Sequence, residues 1–228
     1  MYRPVQIRLL VILFLLGFNA CREARRVDVS VMGGEGQGGE GQGGEGVRPI
    51  QSLKPTLKRK DYRQIGADLS AALELDSTEI CSELGSFDCL KVVHRLSLGG
   101  ISPDKQSLYS PTKLSSVSAP IALERVVYSA CGTRVTRDFE NAANAKIFKN
   151  VSLTNEGGLS DVNSESVRSA VQTLFRRALL REPTETEVAD LISLYNDITG
   201  EANSQLAGPS WAWVTCLALF TSVEFVFY

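Results

Sequence analysis

A mainly α-helical chain, one helical domain behind a signal peptide and a disordered glycine-rich tether, is what the sequence predicts, and three observations predict it. After residue 60, apolar side chains recur every three to four positions in successive stretches. Residues that start and stop helices, Pro120, Thr184 with Glu187, Pro183 and Gly200, punctuate those stretches. Before them lies a repeat of Gly, Glu and Gln with no apolar side chain that could enter a core. The segments are therefore 1–20 (signal peptide), 21–52 (linker) and 53–228 (helical domain), the last long enough for one sizeable core.

Arg3 and Arg8 precede an apolar run, Leu9 to Phe18, about half of the roughly 20 residues a helix needs to cross a bilayer. That is the length and charge order of a signal peptide. The run closes as Gly17-Phe18-Asn19-Ala20-Cys21 and resembles the bacterial lipobox, in which a small residue precedes a Cys that is diacylated and becomes the mature N-terminus. Phe18 departs from the Leu usual there, and its bulk also argues against ordinary signal peptidase, which wants small residues at Phe18 and Ala20. The resemblance implies that Cys21 is lipidated and that membrane lipid is its partner. Arg22 follows the Cys in place of the Asp that retains lipoproteins at the inner membrane, which implies the outer membrane, facing the periplasm or the cell surface.

Gly33 to Gly46 repeats Gly-Gly-Glu-Gly-Gln and cannot bury enough surface to offset its backbone entropy, so it reads as a spacer. From Arg22 to Ile50 its root-mean-square reach is roughly 30 Å. Lys54, Lys58, Arg59, Lys60 and Arg63 follow around Pro55. They read as a solvated approach to the first helix; contact with anionic headgroups or wall polymer is the sharper alternative.

Tyr62, Ile65, Leu69, Ala72 and Leu73 predict a helix from about Asp61 to Leu75. Asp76-Ser77-Thr78-Glu79 has capping-box form and predicts a short second helix ending at Gly85. Cys89 to Leu98 fits a helix with Cys89, Val92, Val93 and Leu96 inward, while Leu90, Val92, His94, Leu96 and Leu98 also alternate as in a strand; helix is preferred. Ile101 to Ser118 reads as a Ser- and Pro-rich surface loop. Pro120 opens a helix with Leu123, Val126, Val127, Ala130, Cys131, Val135 and Phe139 inward, and Gly132 falls on its outer side as a potential kink. Asn144 to Ser166 is irregular with a turn at Gly157-Gly158. Val167, Ala170, Val171, Leu174, Phe175 and Ala178 mark a helix that must stop near Arg181, ahead of Pro183. Thr184 and Glu187 form a capping box that launches Val188, Leu191, Ile192, Tyr195 and Ile198. Trp211 to Tyr228 is apolar nearly all round and reads as the central core helix, with a buried Glu224 that needs Arg176 or Arg177.

Arg176-Arg177-Ala178-Leu179-Leu180-Arg181-Glu182-Pro183-Thr184 with Glu187, followed by Phe220 to Phe227, resembles the helical C-terminal module of large uncharacterised secreted proteins of planctomycete type. Those often accompany c-type cytochrome domains, but the Cys-x-x-Cys-His run of covalent haem attachment is absent from this chain. Ser77 to Val135 resembles uncharacterised lipoproteins of predatory or gliding bacteria, which implies no particular activity.

Cys81, Cys89, Cys131 and Cys216 are an even number in an exported chain, so two disulfides are the natural reading, with three pairings open to the sequence. Cys81 with Cys89, flanking a turn, and Cys131 with Cys216, joining the middle helix to the central one, are favoured. No Cys-x-x-Cys pair supports a thiol redox centre, and one His, His94, is too few for most Zn arrangements. His94 reads as structural, because no nucleophile or orienting acid can be assigned to it by spacing. Ser102-Pro-Asp-Lys105 and Ser110-Pro-Thr-Lys113 match Ser-x-x-Lys, but in a Pro-rich loop and without the companion motifs of penicillin-binding enzymes. No catalytic residue, cofactor or metal is assigned. Without Arg3 and Arg8, 22 basic residues face 26 acidic ones, a formal charge near −4 that offers no footprint for nucleic acid. The expectation is a tethered, non-enzymatic binding or scaffold module of the cell envelope, with an envelope protein or wall polymer as partner. The alternatives are an accessory component of a periplasmic electron-transfer or hydrolytic system and a thiol oxidoreductase.

Overall fold

The computed structural model describes residues 58–101, 117–201 and 206–228. Cys21, the signal-peptide and tether segments, Lys54 and both Ser-x-x-Lys matches lie outside those residues. The described chain is mainly helical: α1 (Tyr62–Leu73), α2 (Ser118–Glu140), α3 (Glu165–Leu179), α4 (Glu185–Glu201), α5 (Ala207–Phe220) and the single turn α6 (Val223–Val226), with a two-stranded hairpin, β1 (Ser82–Glu83) and β2 (Phe87–Asp88), after α1.

Three of the main helices, α1, α3 and α4, start or stop for a local reason. Asp61 caps α1 by accepting from the amides of Arg63 and Gln64, while Gln64 accepts from the Asp61 amide, and Glu74 ends the helix in the left-handed region. Ser164 caps α3, and Leu180 closes it at φ 55° just before Pro183. At α4 the Thr184 and Glu187 box closes in both directions, at 2.7 and 3.2 Å.

α5 is the centre of the bundle. Trp211, Ala212, Cys216 and Phe220 are wholly buried, and α5 packs against α2, α3, α4 and α6. Trp211 still finds a partner for its indole N–H in the Leu191 carbonyl, 2.7 Å away. Cys131 of α2 and Cys216 of α5 are joined, Cα atoms 5.9 Å apart, and Cys81 and Cys89 are joined across the hairpin at 5.5 Å. These are the two favoured pairings.

Four local expectations are corrected. The helix expected from Asp76 to Gly85 is a turn followed by the hairpin. Glu79 does reach back to the Asp76 amide, but Leu84 and Gly85 both take positive φ, as a tight hairpin turn requires, and Cys89 is brought back to Cys81. Cys89–Val93 is helical, as preferred over a strand, but as a short π-helix that stops well before Leu98: the His94 amide bonds the Cys89 carbonyl, and Cys89, Leu90, His94 and Leu98 face inward while Val92 and Val93, expected inward, are exposed. Gly132 is not on an open face. A Cβ there would lie 3.3 Å from the Trp213 ring, so glycine admits the indole, which packs at a tilt against the Tyr128 ring and donates to the Tyr128 carbonyl, and α2 runs unbroken. The apolar run to Tyr228 is broken at Thr221 and Ser222, because the Ser222 hydroxyl caps α6 by accepting from the Phe225 amide at 3.2 Å.

Candidate functional site

The approach segment is pinned. Lys58 and Tyr228 exchange both backbone hydrogen bonds at 3.0 Å, and the Lys60 amide donates to the Val226 carbonyl at 2.9 Å. The basic residues are correspondingly not a free solvated run. Lys60 pairs with Asp68 at 2.8 Å and lies over the Phe225 ring, and Arg63 sits 3.6 Å from Asp61. Arg59 donates to the Ser97 carbonyl at 3.0 Å.

Pinning this segment beside α6, the start of α2 and Leu98 leaves a groove of about 250 Å³ between them, lined by Arg59, Ile65, Leu98, Leu123, Val226 and Phe227 among others. Its wall is almost entirely apolar. Burial pushes the Arg59 guanidinium below its ordinary pKa, and no carboxylate among the described residues counters that push. A concave apolar surface with one under-partnered cation is the general form of a site that binds and orients a small ligand. The sequence reading named Arg59 only within a charge run, since the walls come from segments more than 150 positions apart in the chain.

The remaining polar clusters are fasteners. His94 is buried, and its Nε2 lies 2.8 Å from Glu83 Oε1, the same oxygen that Arg125 approaches at 3.4 Å, so the trio ties the disulfide hairpin to α2. The carboxylate accepts, so Nε2 carries the proton. Glu224 is half-exposed and not buried, and its partner is Arg181; Arg176 pairs with Glu182, and Arg177 with Glu74. Arg181 also grips Glu187 at 2.6 and 3.0 Å. Those two carboxylates hold the guanidinium well above its ordinary pKa. Arg134 and Asp138, fully buried on α2, are the pair the sequence reading missed: they lie 2.7 Å apart, and Asp138 also accepts from the amides of Lys146, Ile147 and Phe148. Their one sequence signal is an Arg and an Asp at i and i+4 on the apolar stripe of α2.

Among the described residues no group of three or more His, Cys, Asp or Glu is placed to hold a metal, and no helix is long and apolar enough to cross a membrane. Fold and site together define a disulfide-stapled helical domain with an apolar groove. No family model, curated protein or solved structure matches the chain.

Proposed function

We propose that this chain is a lipid-anchored protein of the cell envelope, acylated at Cys21, whose helical domain is a non-enzymatic binding or scaffold module. The groove beside Arg59 carries the binding half of the reading, because it joins apolar walls to a cation that no carboxylate among the described residues holds. The lipobox-like run ending at Cys21, the glycine-rich spacer and the two cystine pairs support the envelope half, since disulfides persist outside the reducing cytosol. The outer membrane follows from Arg22 after Cys21.

Metabolic labelling with palmitate, with Cys21→Ala as control, tests the anchor. The native chain takes up label and sediments with outer membrane, and the variant takes up none. An unlabelled native chain in the cytosolic fraction overturns the reading.

A second reading, an accessory component of a periplasmic electron-transfer or hydrolytic system, is supported by the C-terminal resemblance, whose two segments are the two that Arg181 joins. Neighbouring genes for c-type cytochromes or large exported enzymes favour it, and their absence favours the first.

A further inference from the structure

The groove's chemistry narrows what it can hold. A peptide lying along a nearly all-apolar wall would bury amide groups with no partner, whereas a hydrocarbon chain has none to satisfy. Arg59 adds the second constraint. Its neighbours Lys60 and Arg63 each have a carboxylate, but Arg59 has only the Ser97 carbonyl among the described residues, next to the wall residue Leu98. A planar guanidinium meets a planar carboxylate with two parallel hydrogen bonds, and a single cation matches a single negative charge. A phosphate monoester, near −2, calls for a second cation; Lys60 and Arg63 are engaged, and exposed Lys58, beside Arg59 in the chain, makes a phosphate the competing headgroup that the test must separate.

We propose that the groove binds a single-chain fatty acyl carboxylate, its tail against Ile65, Leu98, Leu123 and Val226 and its headgroup on Arg59. A volume of 250 Å³ is about eight times the roughly 30 Å³ share of one liquid water, room for a chain of about eight to ten carbons. This deepens the binding-module reading and rests on it, by naming the ligand class of the same groove; it does not depend on acylation of Cys21.

The test uses the full chain, purified into amphipol and exposed to a photoactivatable decanoate, with photoactivatable decanol and decyl phosphate of equal length beside it. Cross-linked peptides are mapped by mass spectrometry. Decanoate is expected to label the wall segments 59–65, 119–123 or 223–227, about tenfold more than decanol, the worth of one charge-assisted hydrogen bond. Arg59→Gln lowers decanoate labelling to the decanol level, and Arg59→Lys restores part of it. Ala119→Leu, which adds bulk to the wall while keeping Arg59, lowers labelling by all three probes; the Arg59 variants decide the matter should that one not fold. Equal labelling by decanoate and decanol, or labelling insensitive to Arg59→Gln, overturns the carboxylate. Strongest labelling by decyl phosphate overturns it in favour of a phospholipid headgroup, and labelling away from the walls overturns the groove. Recovery of unreacted decanoate separates the two readings: conversion to a product sinks the non-enzymatic module and leaves the site, whereas intact decanoate without wall labelling sinks the site alone.

Discussion

Arg181 donates from Nε and Nη2 to both carboxylate oxygens of Glu224, at 2.7 and 2.9 Å, across 43 positions of chain. The same guanidinium holds Glu187, which in turn caps α4 through Thr184, so one cation fixes the end of α3, the start of α4 and the turn α6. All three side chains are a third or more exposed to solvent, or nearly so, and exposed pairs contribute little singly. Arg181→Met is expected to cost about 1 to 2 kcal/mol, and Glu224→Gln less than about 1, because Glu187 keeps its grip in the second case. Urea denaturation measures both; an equal loss would show that Glu187 takes no part.

The buried pair on α2 behaves differently. Asp138→Asn leaves Arg134 uncompensated in the core and offers one acceptor oxygen to the three amides that now share two, at an expected cost of about 3 to 5 kcal/mol. Arg134→Met costs less, since the three amides still solvate the carboxylate. A larger loss for the arginine variant in the same denaturation series would refute this ranking.

Acid should unfold the domain in stages set by its carboxylates. Arg137 holds Glu79, and Arg181 holds Glu187, at a pKa of about 2, below the ordinary 4.5; Glu74 beside Arg177 and Glu224 beside Arg181 are also lowered. A carboxyl lowered in the folded state binds fewer protons there than when unfolded, so its contribution is complete above the unfolded value and fades as pH falls from about 4.5 to about 2. The melting temperature is expected to drop across that window, and Glu187→Gln should flatten the slope. An unchanged slope in the variant would remove Glu187 from the account.

The two cystines close loops of very different length, with sequence separations of 85 and 8. By the chain-entropy model, losing Cys131–Cys216 costs about 4.6 kcal/mol and losing Cys81–Cys89 about 2.6. Paired Cys→Ala variants compare them by thermal unfolding. Thiol titration of the denatured native protein should find none of these four cysteines free; a free pair would revive the thiol oxidoreductase reading.

Helices α1 to α4 were legible because their signals are local. Ile65, Leu69 and Leu73 lie on one face by spacing alone, and Thr184 with Glu187 closes a cap within four residues. The hairpin at Leu84 and Gly85 was not legible, since Asp76 and Glu79 carry a true helix-start signal that a disulfide eight residues apart overrides. Ser222 shows the reverse error: a cap was present in the sequence, but the apolar residues on either side hid it inside one long run.

Residue order alone therefore determined the helical class, the inward faces of α1 to α4 and, through an even cysteine number, the expectation of two disulfides, while the fold selected the pairing among the three that were open. Tertiary structure decided what Glu224 and Asp138 bond to, how Gly132 receives Trp213 and where Arg59 is left without a carboxylate among the described residues. The physical reason is range: periodicity and capping act over three or four residues, whereas the groove exists only once Arg59, Leu123 and Phe227 are folded into one wall.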